Sequence, residues 1–336
     1  MEAGGARRRP TSADVAREAG LSRATVSYVL NDTPHQKIPE HTRRRVLEAA
    51  ERLGYAPSAA ARALRSGRSD VVLCLLPDWP IGPAVGGLLS HLSGALATHG
   101  LTLLAHPRAH AARPVAEVWK AITPAAVIAF DDFDDAEAAA MRAAGIELTV
   151  ALLGRSRRRR NELELPEQRT GRLQAKHLAA AGHRRLGYAF PDDERVAGFA
   201  RPRLDGVRAR CAELGLAEPV VRTISLDAAA AADAVRAWRA EEPAVTGVCA
   251  YNDDIALAVL AGMHRLALTA PGDFAVIGVD DIPAAALAVP PLTTVALDAA
   301  ALGEHVARVV VSTLAGTPRP RRPGSAVVRV IVRESA

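Results

Sequence analysis

The sequence contains few cysteines and no long apolar run. Cys74, Cys211 and Cys249 are odd in number, widely spaced and set in apolar stretches. This pattern favours reduced core thiols over disulfides or a metal site. No run of 18 or more apolar residues could span a bilayer, and the arginines at 7–9 precede polar residues rather than the apolar middle of a secretory signal. The sequence therefore predicts a cytoplasmic protein without a membrane partner.

The sequence motifs of several common enzyme classes are also absent. There is no GxxxxGK[ST] phosphate loop, no GxSxG nucleophile elbow and no HExxH zinc helix. His106 and His110 have a metal-like spacing, but Pro107 intervenes and no third ligand is evident. We therefore expect no catalytic residue, metal or cofactor, and no enzyme activity.

Positive charge is concentrated in the first fifth of the chain. Residues 1–68 hold 13 Lys and Arg against 7 Asp and Glu, whereas the remainder holds 29 against 30. A compact basic unit on a near-neutral body is typical of a nucleic-acid-binding module, because phosphate neutralisation supplies most non-specific affinity. A basic tail without a partner is the alternative that charge alone leaves open.

Helical periodicity predicts three short helices in this basic region, over Ser12–Ala19, Arg23–Leu30 and about Glu40–Leu53. Gly20 ends the first helix because glycine readily adopts the left-handed conformation, and Ser22 can cap the second. Apolar residues recur at helical spacing in all three, so they can share one small core. The first two helices, separated by three residues, form a predicted helix-turn-helix.

Beyond residue 69, apolar strand-like runs alternate with helical stretches, which predicts parallel sheets covered on both faces. Two sheets of about five strands are favoured over one of ten, with a polar crossing segment over 155–168. The predicted strands are Val71–Leu76, Leu101–Ala105, Ala125–Phe130, Glu147–Leu152, Leu186–Phe190, Val220–Ile224, Thr246–Tyr251, Phe274–Val279, Thr293–Leu297 and Ala326–Val332.

Several segments of the chain together form a recognisable family pattern. In the basic region they are Thr11–Asn31, Thr42–Val46 and Leu53–Pro57; further along they are Ala179–Leu186, Tyr251–Asp254, Pro271–Asp281 and Pro290–Val295. These segments resemble the lac repressor family, and the resemblance is weakest from Leu76 to Arg169. The resemblance implies an N-terminal all-α helix-turn-helix headpiece and an α/β two-lobed core with parallel sheets, similar to periplasmic binding proteins.

The resemblance also implies the domain boundaries. The headpiece is expected over 1–57, a hinge helix over 58–68, and an effector-binding and dimerisation core over 69–336. Within the core, the expected N-lobe comprises about 69–160 and 288–318, and the C-lobe about 161–287 and 319–336.

The function implied by the resemblance is that of a sequence-specific DNA-binding transcriptional regulator. Such a repressor binds a palindromic double-stranded DNA operator as a homodimer and responds to a small-molecule effector, for which a carbohydrate is the candidate class. No leucine heptads follow Val332, so a dimer is expected rather than a zipper-joined tetramer. The alternative is a sugar-binding transport-type protein without DNA function, which would share the core but need an export signal and no headpiece.

The second helix of a helix-turn-helix enters the major groove, where base edges differ in their donors and acceptors. Arg23 can pair with a guanine, Ala24 can contact a thymine methyl, and Tyr28 stands where the family often has an arginine; core packing is the alternative for Tyr28. The other expected DNA contacts, mainly to phosphates, are Thr11, Ser22, Thr25, Ser27, Arg43 and Arg44.

In the family, the hinge becomes helical when two subunits meet in the minor groove, where a leucine from each wedges between base steps. The corresponding residue here is Leu64, flanked by Ala61 and Arg65. The alternative for Leu64 is packing on the core.

The resemblance implies an effector cleft at the strand ends, as expected for open α/β sheets. Arg203 matches the inducer-contacting arginine of the family, and Asn252 and Asp280 match an asparagine and an aspartate that follow strands. We expect all three to contact the effector, since their side chains suit hydroxyl-rich ligands. Capping of a strand end is the alternative role, most seriously for Asn252. Trp79 lies in a stretch that departs from the family pattern, and we expect it to stack on a ligand.

Overall fold

The computed structural model describes residues 10–30, 37–55, 69–108, 115–130, 133–146, 149–151, 166–321 and 327–336, without the side chains of 149–151. The chain forms two compact units, Met1–Asp70 and Val71–Ala336. The expected hinge contacts Ala61 and Leu64 lie outside the described residues, as does the arginine-rich stretch at 155–160.

The first unit contains the three predicted helices at their predicted positions. They are α1 (Ser12–Ala19), α2 (Arg23–Leu30) and α3 (Glu40–Leu53). Gly20 follows α1 in the left-handed conformation, with φ 61°, as a glycine can do without steric cost. The three helices share one apolar core, whose buried members are Val15, Ala16, Ala19, Val26, Val29, Val46, Ala49 and Ala50.

The second unit begins with a four-stranded parallel sheet of order β2-β1-β3-β4. Its helices are α4 (Pro83–Ala97), α5 (Val115–Ile122) and α6 (Asp135–Ala143). The strands are β1 (Val71–Leu76), β2 (Thr102–Pro107), β3 (Ala126–Ala129) and β4 (Thr149–Ala151).

A six-stranded sheet of order β10-β9-β8-β7-β5-β6 follows. Its strands are β5 (Leu186–Pro191), β6 (Val220–Ile224), β7 (Gly247–Ala250), β8 (Ala275–Val279), β9 (Thr293–Leu297) and β10 (Val328–Ile331). The helices of this part are α7 (Glu167–Ala180), α8 (Ala197–Glu213), α9 (Ala228–Arg239), α10 (Asp253–Arg265), α11 (Pro283–Leu287) and α12 (Ala299–Leu314), and a short 3₁₀ helix covers Glu194–Val196.

All ten predicted strands are present, but three expectations about their arrangement are wrong. The sheets have four and six strands rather than about five each, and β10 pairs with β9 in the antiparallel direction. The expected lobe boundary at residue 288 fails for β9, because this strand pairs with β8 through Ile277 and Thr293 and so belongs to the six-stranded sheet. The following helix α12 instead packs against α4, where Gly303 approaches the backbone of Leu92.

The polar crossing segment expected over 155–168 is also shorter than predicted. Helix α7 begins at Glu167, whose side chain is buried. Residues Thr170, Gly171 and Gln174 are buried on the same helix, at the spacing of three or four residues that places side chains on one helix face. The inward face of α7 therefore starts inside the predicted linker.

Strands β3, β7 and β8 are buried at every position, as expected when helices cover both faces of a parallel sheet. Cys74, Cys211 and Cys249 are buried and free, which confirms the prediction of core thiols. Burial raises the pKa of the Cys74 thiol to about 12. Among the described residues, no helix combines the length and apolar character needed to cross a membrane.

Helices α7 and α8 meet backbone to backbone at two glycines. A Cβ added to Gly171 would lie 1.9 Å from the carbonyl oxygen of Arg203, and a Cβ on Gly206 would lie 1.9 Å from the carbonyl oxygen of Gln168. No side chain larger than hydrogen fits at either position unless the helices move apart. This contact fixes the position of Arg203 on α8 relative to Glu167 at the start of α7.

We predict that Gly206→Ala lowers the free energy of unfolding by about 1–3 kcal/mol or more, because the new methyl group overlaps the α7 backbone. The matched control is Gly198→Ala on the same helix, where an added Cβ meets nothing within 4 Å. The control should leave stability unchanged or raise it by at most about 1 kcal/mol. Denaturant unfolding of both variants measures the difference, and equal stabilities would contradict the close-contact interpretation.

Candidate functional site

Helix α2 has one buried and one exposed face. Val26 and Val29 point into the small core, whereas Arg23, Ala24 and Tyr28 are exposed. Tyr28 retains 39% of its accessible surface, so its side chain is not a core residue in the isolated chain. The three residues expected to read bases therefore lie on one solvent-facing surface of a short helix.

The residues expected to contact phosphate have mixed surroundings. The backbone N–H of Thr25 donates to the Ser22 hydroxyl at 3.0 Å, so Ser22 caps α2 as predicted. The Thr11 hydroxyl donates to Asp14 at 2.7 Å at the start of α1. Ser27 and Arg43 are half-buried.

Two neighbouring exposed arginines of α3 have different partners. Arg44 is exposed and lies 3.8 Å from the carboxylate of Glu48. Arg45, which was not singled out from the sequence, donates to the carbonyl of Ala19 at 2.6 Å. Arg45 therefore ties α3 to the end of α1, and Arg44 stays on the surface.

A cavity of about 210 Å³ opens in the second unit where strands of both sheets end. Residues that follow β1, β3, β5, β7 and β8 converge on it, in agreement with the rule that ligands bind at the carboxyl ends of parallel strands. The four expected effector residues all line it, and its fuller lining includes Trp79, Val85, Leu88, Phe130, Glu167, Asp192, Asp193, Phe199, Arg203, Leu226, Tyr251, Asn252, Asp254, Asp280 and Ile282.

Arg203 lies at the wall of this cavity and is held mainly by the protein. Its Nε donates to the carboxylate of Glu167, and its Nη1 donates to the carbonyl of Tyr251 at 2.8 Å. Its Nη2 lies 3.6 Å from Oδ1 of Asp280. Burial alone would lower the pKa of Arg203, but Glu167 and Asp280 outweigh it and raise the pKa above its usual value.

Asp280 follows β8 in a conformation that residues other than glycine rarely adopt, with φ 104°, and Asp281 after it has φ 51°. Such conformations cost about 1–3 kcal/mol each and persist only when surrounding contacts enforce them. Here the N–H of Asp280 donates to the carbonyl of Val295 at 2.9 Å, and Arg333 donates to Asp281 at 2.6 Å. The strained pair turns the Asp280 carboxylate towards Arg203.

Asp253 supports the same loop from beneath. Its two carboxylate oxygens accept from the Thr294 hydroxyl at 2.6 Å and from the N–H of Ile282 at 2.9 Å. The side chain is fully buried, and burial raises its pKa to about 7 against the lowering effect of these two donors. The nearby negative charges of Asp280 and Asp281 raise the pKa of Asp253 further.

Aromatic side chains form another wall of the cavity. Trp79 meets Phe130 and Phe199 edge to face, with ring centroids 5.3 and 5.2 Å apart. The Arg203 guanidinium lies 5.0 Å from the ring centroid of Tyr251. The expected ligand-stacking residue Trp79 is thus one member of an aromatic group.

Asn252, for which capping of a strand end was the alternative role, caps the helix that follows β7. Its Oδ1 accepts from the N–H of Ile255 at 3.0 Å and caps α10, and its Nδ2 lies 3.4 Å from Asp254. The side chain also lines the cavity. Because Oδ1 caps the helix, Nδ2 is the atom of this side chain that is placed to donate a hydrogen bond to a ligand.

Glu167 is the residue of this site that sequence reasoning missed. It stands beside an arginine-rich stretch and was assigned to the polar crossing segment. Glu167 lies three and four residues before Thr170 and Gly171, on the same face of α7, but these residues do not form an apolar pattern that marks the face as buried. The aromatic partners Phe130 and Phe199 carried no such pattern either, because their approach to Trp79 joins distant parts of the chain.

We predict that Asp253→Asn changes how stability depends on pH. The carboxyl has a pKa of about 7 when folded and about 3.8 when unfolded, so its contribution to the free energy of unfolding is greatest below pH 3.8 and is lost as pH rises to about 7. At about 1.4 kcal/mol per unit, the stability of Asp253→Asn relative to wild type should improve by about 3 kcal/mol from pH 4 to 7, because part of the contribution is already lost at pH 4 and a small part remains at pH 7.

Chemical denaturation at a series of pH values measures this effect. Asp205→Asn, which removes a surface carboxylate lying 3.6 Å from Arg208, is the control for loss of a charge. If the free energies of unfolding of wild type and Asp253→Asn depended on pH in the same way, the carboxyl of Asp253 would not have a raised pKa in the folded protein, and the prediction would be wrong.

Two family models match the chain. Residues 11–58 match the bacterial regulatory proteins of the lacI family. Residues 175–336 match the periplasmic binding protein-like domain. The first range contains the helix-turn-helix, and the second contains Arg203, Asn252 and Asp280.

Full-length relatives and solved structures agree with this division. The transcriptional regulator MalR of Streptomyces coelicolor is 29% identical, over 96% of this chain and 95% of its own. The structure of the transcriptional regulator CelR in complex with cellobiose is 26% identical, with a TM-score of 0.66 over 98% of this chain and 100% of its own.

The lac repressor dimer bound to operator and the anti-inducer ONPF shares the fold, at 22% identity and a TM-score of 0.75, over 98% of this chain and 99% of its own. Family matches at both ends and relatives that span almost the whole chain agree with the helix-turn-helix and the cavity at the strand ends. The chain therefore contains a helix-turn-helix domain of the lacI family of bacterial regulatory proteins and a periplasmic binding protein-like domain.

Proposed function

We propose that this protein is a transcriptional repressor that binds a palindromic operator as a homodimer and is controlled by a small molecule in the core cavity. The observation that carries the proposal is the exposed face of α2. Arg23, Ala24 and Tyr28 project from a helix whose other side is held by a buried core, and this is the geometry required to insert a helix into the major groove.

Each exposed residue of α2 suits a different part of a base pair. An arginine donates two hydrogen bonds to the O6 and N7 acceptors of guanine, and a small methyl group such as that of Ala24 suits the thymine methyl. We assign Tyr28 to the groove because its ring is exposed. Thr11, Ser22, Thr25, Ser27, Arg43 and Arg44 are proposed to position the headpiece on the phosphates, and Ala61 and Leu64 to enter the minor groove.

The cavity supports control by a small molecule. It combines apolar and aromatic walls with a few polar groups, the usual composition of ligand sites. Arg203, Asn252 and Asp280 offer hydrogen-bond partners for hydroxyl groups, and Trp79 offers an aromatic surface. A carbohydrate is the expected class of effector, and the cellobiose named for CelR is a precedent in a relative.

Two features support a homodimer. A palindromic operator has two-fold symmetry, which a two-fold dimer matches. The core also exposes apolar surface: Leu104 on the edge strand β2 is 42% accessible, and Leu287 and Val289 between β8 and β9 are more than four-fifths accessible. Because its proposed target is DNA, the protein is proposed to act in the cytoplasm.

A transport-type binding protein explains the cavity but leaves the headpiece without a role. A three-helix unit with its own apolar core and an exposed α2 face is a domain, not a tail. An enzyme is disfavoured for a different reason, since the proposed chemistry of the cavity is reversible binding and every relative named above is a transcriptional regulator.

We predict that Arg23→Ala weakens operator binding by about 1–3 kcal/mol and reduces the preference for guanine at one position of each half-site. Binding to unrelated DNA should change much less. The matched control is Arg208→Ala, which removes an exposed arginine of the core unit. Fluorescence anisotropy with operator and scrambled duplexes measures both affinities, and an equal loss on the two duplexes would assign Arg23 to phosphate contact.

We predict that Asp280→Ala leaves the operator affinity of the effector-free protein nearly unchanged, because Asp280 lines the cavity and is not among the proposed DNA contacts. The same substitution should abolish the change in operator affinity that the effector causes. A ligand shifts the DNA affinity only if it binds two states unequally, and such coupling typically changes affinity about 5- to 150-fold. A thermal-shift screen of sugars, polyols and nucleosides on the full chain supplies the ligand. An undiminished response of Asp280→Ala in operator titrations would place the effector elsewhere.

A further inference from the structure

The charges that line the core cavity do not balance. Its lining includes the carboxylates of Glu167, Asp192, Asp193, Asp254 and Asp280 but a single cationic side chain, that of Arg203. A second arginine, Arg195, pairs with Asp193 at 2.7 Å from outside this lining. When each arginine is assigned one carboxylate, three carboxylates remain without a full counter-charge among the described residues.

Arg203 is poorly placed to bind a ligand anion. Two of its nitrogens already donate to Glu167 and to the carbonyl of Tyr251, and its side chain is only 8% exposed. An incoming carboxylate or phosphate would have to compete with Glu167 and approach Asp280, 3.6 Å from the remaining nitrogen. The bidentate recognition through which arginine usually selects anions is therefore obstructed.

Burial strengthens the effect of the uncompensated charge. Charges a few ångströms apart interact several times more strongly near or inside a protein than in water, and the Asp280 side chain is only 21% exposed. Burial raises the pKa of Asp280 although the nearby Arg203 lowers it. A positive group brought by a ligand would supply the charge that this carboxylate lacks.

The aromatic wall favours the same kind of ligand. The faces of aromatic rings attract cations, most strongly when water is excluded. Trp79, Phe130 and Phe199 pack together on one side of the cavity, and the Arg203 guanidinium already lies near the rings of Phe199 and Tyr251, at 5.9 and 5.0 Å. Rings and carboxylates together form a site suited to ammonium groups.

We propose that the effector of this protein is a small organic cation, an amine-bearing molecule whose ammonium group binds beside Asp280 and Asp254, and that the cavity rejects anionic molecules. The inference rests on the proposed effector role of the cavity and narrows its chemical class. An amino sugar satisfies both the hydroxyl-binding groups and the charge. Sugar acids and sugar phosphates do not.

Matched probe sets test the charge directly on the full chain. Each set keeps one framework and varies the charge: glucosamine, glucose and glucuronate; choline, 3,3-dimethyl-1-butanol and 3,3-dimethylbutyrate; 4-amino-1-butanol, 1,4-butanediol and 4-hydroxybutyrate. Thermal shift and calorimetry should show that a cationic member binds about tenfold or more tightly than its neutral partner. The anionic members should give no shift.

The outcomes separate this inference from the proposed function. Binding of neutral members with no gain for their cationic partners overturns the cation assignment and leaves a neutral-sugar effector standing. Tighter binding of an anionic member also overturns it. If no member of any set binds, the cation assignment fails, and the screen of sugars, polyols and nucleosides then decides separately whether the cavity binds an effector.

Variants locate the charge that is responsible. Asp280→Asn should reduce the advantage of the cationic over the neutral probe about tenfold. Asp254→Asn should also reduce this advantage. Asp254 is exposed at the start of α10, so this substitution does not disturb the buried core. Asp205→Asn, on α8 outside the cavity lining, is the matched control and should leave the advantage intact. An unchanged cation advantage in both cavity variants would contradict the proposal.

Discussion

Burying a guanidinium requires compensating partners, and the core of this protein is arranged around that requirement at Arg203. A charged side chain removed from water is costly unless it is paired and hydrogen-bonded. Glu167 supplies the opposite charge from the start of α7, the carbonyl of Tyr251 accepts from the end of β7, and Asp280 approaches from the end of β8. One side chain thereby connects two helices and two strands at the cavity wall.

The geometry of this cluster depends on contacts that contain no charge. Gly171 and Gly206 allow the backbones of α7 and α8 to touch, which sets the separation of Glu167 and Arg203. On the opposite side, buried Asp253 fixes the loop after β8 through Ile282 and Thr294. The binding groups are thus held by rigid elements, and preorganisation of this kind lowers the entropy lost on binding a ligand.

The two units divide the work of a regulator according to the surfaces they leave exposed. In the first unit, the apolar faces of three helices are buried in a small core, and the polar face of α2 is exposed to solvent. In the second unit, the strands are buried on both faces, and residues at their carboxyl ends line one cavity. The exposed face of α2 is not needed for the folding of its own unit, so sequence change there alters specificity at little cost to stability.

Local sequence patterns were sufficient to predict the first three helices and the ten strands, and family resemblance predicted part of the candidate site. Helices α1, α2 and α3 follow from capping residues, glycine stops and a 3.6-residue period, and the ten strands follow from apolar runs, because these signals act within a few residues. The assignment of Arg203, Asn252 and Asp280 to one cleft came from family resemblance, whereas Trp79 lies in a stretch that departs from the family pattern and was assigned from its aromatic side chain.

The sequence by itself determined where the first three helices and the strands form and which short helix is proposed to face DNA, since both depend on neighbours along the chain. Only the tertiary structure decided that β9 joins the six-stranded sheet, that β10 runs antiparallel, and that Glu167 is a buried partner of Arg203 rather than a linker residue. Strand order, helix contact and charge pairing join residues tens of positions apart. Their energies depend on burial and distance, which a linear pattern does not contain.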